Sequence, residues 1–320
     1  MTDSSTPAAA SDSGSMGEIR LCGRFRAHRR ADPGHQWRPL RDDRVQASNL
    51  DLYGTTYGGG SDYPGTVFKI TPSGALTTLY SFCSQSNCTD GRNPTAGLVR
   101  AANGDLYGTT YYGGESASAN CPNGCGTIFR ITPSGTFTRL HSFCSLSNCT
   151  DGAYPYAALV QATNGDLYGT TYGGGAENGG TIFEVTPSGM LTTQYSFCSQ
   201  AGCTDGQSPN AGLVQDTNGD IYGTTTSGGA SGYGALFSLS VGLGPFVKTQ
   251  TTSGKVGAAV KILGNNLTHT SSVTFNGTAA VFTASASEIT TTVPTGATTG
   301  IVQVVTPRGT LSSNVPFRVP

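Results

Sequence analysis

Residues 166–172 read Asp-Leu-Tyr-Gly-Thr-Thr-Tyr, and the phrase DLYGTT also begins at Asp51 and Asp105 and returns as DIYGTT at Asp220. The intervals are 54, 61 and 54 residues. Each copy keeps the same neighbours in the same order. An apolar run comes first (GLVRA at 97–101, ALVQA at 158–162, GLVQD at 212–216) and leads into an Asn-Gly-Asp turn. A glycine-rich loop follows the phrase, then GTVFKI, GTIFRI or GTIFEV, a Thr-Pro-Ser-Gly turn, and an aromatic run such as ALTTLYSF at 75–82. Asn-Gly between runs of β-formers is a strong hairpin signal, and a two-residue turn with both central residues at positive φ is expected there. Thr-Pro-Ser-Gly supplies a second tight turn, with proline presetting φ.

Each unit therefore reads as four antiparallel strands of 5–8 residues. Side chains alternate with a period of two along a strand. Phe68 and Ile70, Phe129 and Ile131, and Phe183 and Val185 then share a core face, while Lys69, Arg130, Glu184 and Ser238 share the other. A position that takes either charge or none is expected to be solvated. Four-stranded units of this length in tandem predict a β-propeller-like array, with a β-solenoid as the rival. The last unit stops at ALFSLS (235–240) without its fourth strand, and such rings close by borrowing a strand from the other terminus. Leu50 stands where Gly104, Gly165 and Gly219 serve the turn in the other units.

Composition narrows the class. Glycine accounts for 46 of 320 residues and charged residues for 12%, so long helices and coiled coils are not expected. The net charge is −1, with few lysines, which argues against a nucleic-acid partner. No run of about 18 apolar residues occurs, so no membrane span is expected. Residues 1–44 differ from the rest: they hold eight arginines, the single tryptophan Trp37 and Cys22. They read as a disordered or misassigned leader, preferred over a basic nucleic-acid-binding arm, and lack the apolar stretch of a signal peptide. Because the repeat resumes in mid-phrase at Val45, the natural protein is expected to be longer at its N-terminus.

LYGTTYGGG, GTVFKITPSG and DGxxPxAGLVQA resemble the bacterial GloVer tandem repeat of choice-of-anchor cell-surface proteins, over residues 45–241. The resemblance implies a propeller-like extracellular protein without a defined activity. Residues 244–320 have a different texture, about seven short alternating strands with turns every 8–12 residues, and predict an immunoglobulin-like sandwich. They resemble the IPT/TIG domain in Gly264-Asn265-Asn266-Leu267, Val273-Thr274-Phe275-Asn276-Gly277, Val293-Pro294 and Ser313-Asn314 before Phe317. Members of that family act as spacers, interaction surfaces or binding domains. The domain plan is thus a leader at 1–44, four repeats at 45–243 with the last incomplete, and the sandwich at 244–320.

Candidate chemistry is sparse. Cys83 and Cys88, Cys144 and Cys149, and Cys198 and Cys203 repeat as C-x4-C before Thr-Asp-Gly, while Cys121 and Cys125 sit in an inserted CPNGC loop. Local pairs of this kind read as disulfides of an oxidising compartment, with zinc as the rival. Asp90, Asp151 and Asp205, like Asp105, Asp166 and Asp220, recur once per unit, and turn chemistry is preferred over a calcium site. The loop acids Asp62, Glu115 and Glu177 show no partner for glycoside hydrolysis. His141 replaces Tyr80 and Tyr195 as an aromatic-sized strand residue. No serine fits a catalytic triad, and no glycine loop fits a phosphate cradle. Tyr57, Tyr111, Tyr112 and Tyr172 end the strands beside the glycine loops, as stacking residues for sugar or as a protein-binding face.

The expected whole is a non-catalytic, extracellular or cell-surface scaffold that binds polysaccharide or protein and needs no cofactor. A carbohydrate-active enzyme and a purely structural spacer are the alternatives. Eight paired cysteines would leave only Cys22, so thiol titration of denatured, unreduced protein from an oxidising host should find about one thiol per chain. Several free thiols, or stoichiometric zinc, would refute the pairing.

Overall fold

The computed structural model describes residues 45–46, 51–60, 63–115 and 121–320. The expectations for residues 1–44 with Cys22, and for Leu50 and Asp62, lie outside the described residues. Among those residues the fold is all-β, a series of small antiparallel sheets interrupted only by short 3-10 turns at Ser86–Cys88, Ser147–Cys149 and Ala201–Cys203.

Unit 1 pairs Val45–Gln46, Leu52–Thr56, Thr66–Ile70 and Leu76–Ser81 in that order. Unit 2 pairs Val99–Arg100, Leu106–Thr110, Thr127–Ile131 and Phe137–Ser142. Unit 3 does the same with Val160–Gln161, Leu167–Gly173, Thr181–Val185 and Leu191–Ser196, and Ala153–Pro155 adds to its Leu167–Gly173 strand. In unit 4, Gln207–Pro209, Val214–Gln215 and Leu236–Leu239 all pair with Ile221–Ser227, and no counterpart of the Leu76–Ser81, Phe137–Ser142 and Leu191–Ser196 strands follows. The strand ahead of the Asn-Gly-Asp turn is only two residues long in units 2 to 4, as is its counterpart Val45–Gln46 in unit 1, shorter than the expected 5–8.

The turns differ from expectation. In Asn-Gly-Asp the glycine alone has positive φ: Gly104 at 88°, Gly165 at 91° and Gly219 at 101°. The Gly104 amide bonds Ala101 O, and Ala101 N bonds Asp105 O, which makes a three-residue loop ending in a left-handed glycine. Thr-Pro-Ser-Gly repeats the device, with Gly74 N bonded to Thr71 O and Thr71 N to Ala75 O.

The solvated face expected of the third strand is a second core face. Val67, Ile128 and Ile182 lie on it and are buried, because another sheet packs there. Tyr53, Val67 and Phe82 of unit 1 meet Leu98, Leu106, Phe129 and Ile131 of unit 2. Tyr107, Ile128 and Phe143 of unit 2 meet Leu159, Leu167, Phe183 and Val185 of unit 3. Tyr168, Ile182 and Phe197 of unit 3 meet Leu213, Ile221, Phe237 and Leu239 of unit 4. The charged residues between them are half-buried and partnered: Lys69 with Asp51 at 3.8 Å, and Arg130 with Asp105 at 3.8 Å.

Two four-stranded sheets make up the C-terminal region, giving eight strands where about seven were expected. Lys248–Thr249, Ala259–Leu263, Glu288–Thr292 and Phe282–Ala284 form one, and Thr278–Ala279, Ser272–Phe275, Val302–Thr306 and Gly309–Ser312 the other. Val260, Ile262 and Ile289 of the first sheet share a core with Val273, Phe275, Val302 and Val304 of the second. The region touches unit 4 at its Asn-Gly-Asp turn, through Phe246 N to Thr217 O (3.0 Å) and Asn265 Nδ2 to Thr217 Oγ1 (2.9 Å).

The glycine of LYGTT is required by packing. A Cβ on Gly169 would stand 2.5 Å from Phe183 Cζ and 2.7 Å from Leu159 Cδ2. Gly54, Gly108 and Gly223 face Phe68, Phe129 and Phe237 in the same way. Overpacking of this kind costs about 1–3 kcal/mol. Gly169→Ala should therefore lower the unfolding free energy from urea titration by that much, as a lower midpoint at unchanged slope, without changing the far-UV spectrum.

Candidate functional site

The strand carrying LYGTT leaves its sheet at a tyrosine, and the following DGxxPx segment brings a second set of side chains to the same place. In unit 2 the Thr110 hydroxyl donates to Tyr112 O (2.9 Å), which bends the chain just past the strand. Backbone bonds from Tyr111 N to Asn93 O (3.1 Å) and between Arg92 and Tyr112 tie this bend to the Arg92–Asn93 segment. Asn93 Nδ2 donates to Tyr57 O (3.0 Å), joining unit 1. Thr95 Oγ1 donates to Tyr156 O (2.9 Å), joining unit 3.

The result is an aromatic cluster. Tyr111 stacks on Tyr154 with centroids 5.1 Å apart and meets Tyr112 edge-on at 4.6 Å and Tyr156 edge-on at 5.9 Å. Tyr112 also meets Tyr154 edge-on at 5.9 Å. Burial, then the neighbouring Tyr112, Tyr154, Tyr172 and Tyr156, push the Tyr111 phenol up to about 12. Burial and the phenols of Tyr112 and Tyr156 raise Tyr57, against the opposing pull of Arg92. All four candidate tyrosines thus belong to one surface, with Tyr57 and Tyr172 its exposed flanks at 58% and 42%.

Tyr154 and Tyr156 were not among the sequence candidates. Their signal was present, since DGAYPYAAL places tyrosines where the other units have Asn93 and Thr95, or Ser208 and Asn210. Tyr154 sits at φ 60°, a left-handed conformation that Asn93 and Ser208 share at 53° and 56°. Its amide bonds Cys125 O at 2.7 Å, which holds the ring against Tyr111. In unit 4 the matching strand end is Thr226-Ser227, so the aromatic surface stops at unit 3.

Arg92 links this surface to a cavity of about 440 Å³ lined also by Asn87, Thr89, Glu115, Pro122 and Asn123. Arg139 crosses beside it, donating to Thr89 O at 2.7 Å and forming an ion pair with Glu115.

The cysteines pair as expected: Cys83–Cys88, Cys121–Cys125, Cys144–Cys149 and Cys198–Cys203. Sulfurs of Cys121, Cys125, Cys144 and Cys149 lie within 4.8 Å of one another, the one group among the described residues with donor atoms close enough for a metal. Joined as two disulfides they are not thiolate ligands. The CPNGC insertion therefore lays a second covalent bridge against the one that recurs in units 1 and 3.

The Thr-Asp-Gly aspartates close the cysteine loop. Asp90 Oδ2 accepts from Tyr80 OH (2.7 Å), Ser84 Oγ (2.9 Å) and Ser84 N (2.9 Å). Asp205 repeats this with Tyr195 and Ser199. At Asp151 the phenol is replaced by His141, whose Nε2 lies 3.0 Å from Oδ2. His141 is thus more than an aromatic-sized replacement, since it also takes over the hydroxyl's bond. Lone pairs committed to these donors leave the carboxylates to turn formation.

One carboxyl pair was not anticipated. Glu184 occupies the place of Lys69 and Arg130, so Asp166 faces an acid instead of a base. Asn164 donates to both acids, and Tyr168 OH donates to Glu184 at 2.9 Å. Burial, then the bond and charge of Glu184, raise the Asp166 carboxyl.

A family model described as the Gloeobacter/Verrucomicrobia repeat matches residues 13–237 and again 116–302. No curated protein matches the chain. Among solved structures, one assigned as a gluconolactonase is 14% identical with a TM-score of 0.36, covering 78% of this chain and 72% of that one. A fungal alcohol oxidase in complex with copper is 12% identical with a TM-score of 0.39, covering 85% of this chain and 61% of that one. Sucrose-6-phosphate hydrolase from Lactobacillus gasseri is 10% identical with a TM-score of 0.34, covering 87% and 73%. Likenesses at this level say nothing of activity.

Burial works to raise the Asp151 carboxyl, but bonds from His141, Ser145 and the Ser145 and Leu146 amides outweigh it and hold it below its ordinary value. A carboxyl depressed in the folded state stabilises above the unfolded pKa, and that stability is lost as pH falls through the folded one. Asp151→Asn should cost about 1–3 kcal/mol at neutral pH. Urea midpoints measured from pH 7 down to pH 3 should show the difference from the parent shrinking. His141→Tyr, which restores the phenol of units 1 and 3, should leave the neutral-pH midpoint unchanged or raise it.

Proposed function

The chain belongs to the Gloeobacter/Verrucomicrobia repeat family, and from that premise we propose that it is a non-catalytic, extracellular or cell-surface protein that binds polysaccharide on its six-tyrosine surface. The observation that carries the reading is the convergence of Tyr57, Tyr111, Tyr112, Tyr154, Tyr156 and Tyr172 from three successive units. The repeat does not require an aromatic side chain at this strand end, since unit 4 has the exposed Thr226 there. Tyrosine at these places supplies what a sugar needs: flat rings for its C–H faces and hydroxyls that can donate and accept hydrogen bonds. Arg92 at the cavity edge adds a fixed cation beside the rings.

The sheets stacked face to face are read as a propeller-like array, and the C-terminal sandwich as an IPT/TIG module that holds the array away from its anchor. Four disulfides in one chain support an oxidising, extracellular setting.

The enzyme reading rests on Asp166 and Glu184, the two acids that share donors. Asp166 and Tyr172 stand at opposite ends of one extended strand, about 20 Å apart at 3.3 Å per residue. The acids thus lie outside the tyrosine surface, and the convergence of six rings supports binding.

A glycan array probed with the 320-residue chain tests this. Tyr57→Ala and Tyr172→Ala, both at exposed positions, should each weaken binding of any retained glycan by about 2–10-fold, with thermal midpoints unchanged. No retained glycan would favour the spacer reading, and release of shortened sugars would establish the enzyme.

A further inference from the structure

Within the array each unit offers one face to its predecessor and the other to its successor, and the same positions do so every time. Val67, Ile128 and Ile182 are the successor-facing residues at one register position, at 0%, 0% and 1% exposure. Their equivalent in unit 4 is Leu236, which pairs with Thr224 as Ile182 pairs with Thr170, and it is 78% exposed. Tyr222 is half-buried where Tyr53, Tyr107 and Tyr168 are at 0–1%. The linker does not cover this face, because Val241 and Leu243 pack into the cluster between units 3 and 4.

Unit 1 presents the complementary deficit on its predecessor-facing side. Phe68 and Ile70 are half-buried where Phe129, Ile131, Phe183 and Val185 are fully buried. Leu76 is 65% exposed where Phe137 and Leu191 are half-buried. Among the described residues the two open faces are therefore the two halves of an interface that the chain builds three times internally.

We infer that a second copy of this chain docks head to tail, its unit 1 face covering the open face of unit 4. The occupant is fixed by continuity with the internal interfaces: the register, the residue types and the Phe-over-Gly packing that complete each internal face are present on unit 1. Such an interface is heterologous, and it closes when each copy covers the other's open face. Two copies supply eight units, within the four to eight that closed rings of this kind contain. Exposed apolar residues at both ends are thereby withdrawn from water.

The test uses the full chain and two charge variants, Leu236→Asp and Leu76→Glu, whose exposure keeps each from disturbing the fold, as circular dichroism would verify. Sedimentation velocity at micromolar concentration should give the parent twice the chain mass of 32.8 kDa. Each variant alone should sediment as monomer. An equimolar mixture should recover dimer, because Leu236→Asp keeps a sound unit 1 face and Leu76→Glu a sound unit 4 face. A parent that stays monomeric from 1 to 100 micromolar overturns the inference. So does a dimer lost in Leu236→Asp but kept in Leu76→Glu, which would mean that the unit 4 face pairs with itself. Glycan binding by Tyr57 and Tyr172 is read separately, so failure of assembly leaves the binding proposal standing.

Discussion

Everything in the array depends on one contact, a phenylalanine from the third strand of one unit meeting a phenylalanine at the end of the fourth strand of the unit before. Phe82 meets Phe129 at 5.2 Å, Phe143 meets Phe183 at 5.2 Å and Phe197 meets Phe237 at 5.0 Å, all edge to face. The ring can lie flat across its own sheet only because a glycine stands opposite it in the ladder, Gly108 for Phe129 and Gly169 for Phe183. Sequence, sheet geometry and inter-sheet packing meet at that pair. Stability is then the sum of modest units and of the interfaces between them.

The same contact places the tyrosines. Stacking the sheets brings the end of one LYGTTY strand beside the DGxxPx segment of the next unit, and Thr95 to Tyr156 and Asn93 to Tyr57 lock the alignment. No single unit contains the surface. Tyr57 belongs to unit 1, Tyr111 and Tyr112 to unit 2, and Tyr154, Tyr156 and Tyr172 to unit 3 and its entry segment. A ligand on these rings would bridge units, which couples recognition to the integrity of the stack.

The cysteine loops show how repetition tolerates exchange when the physics is preserved. Tyr80 and Tyr195 hold Asp90 and Asp205 through a hydroxyl, while His141 holds Asp151 through a ring nitrogen. The Asp51–Lys69 and Asp105–Arg130 pairs become two acids at Asp166 and Glu184, tolerated because Asn164 and Tyr168 donate between them. Both exchanges lie on half-buried edges, where a partner matters more than its identity.

Repeat period, all-β class, four-unit count and disulfide pairing were legible in the amino-acid order, because each rests on local spacing: turns, alternation and cysteines four or five residues apart. The missing last strand was legible for the same reason. The turn type was not, since the sequence names a glycine but its neighbours' ladder bonds set the loop at three residues. Nor could alternation reveal that Val67, Ile128 and Ile182 are core, because a period of two assigns faces without saying what covers each. Tertiary structure decided that, by laying a second sheet on the face that a lone sheet would leave to water. It also decided that tyrosines 99 residues apart in sequence, Tyr57 and Tyr156, share one surface, since only sheet stacking brings strand ends of different units together.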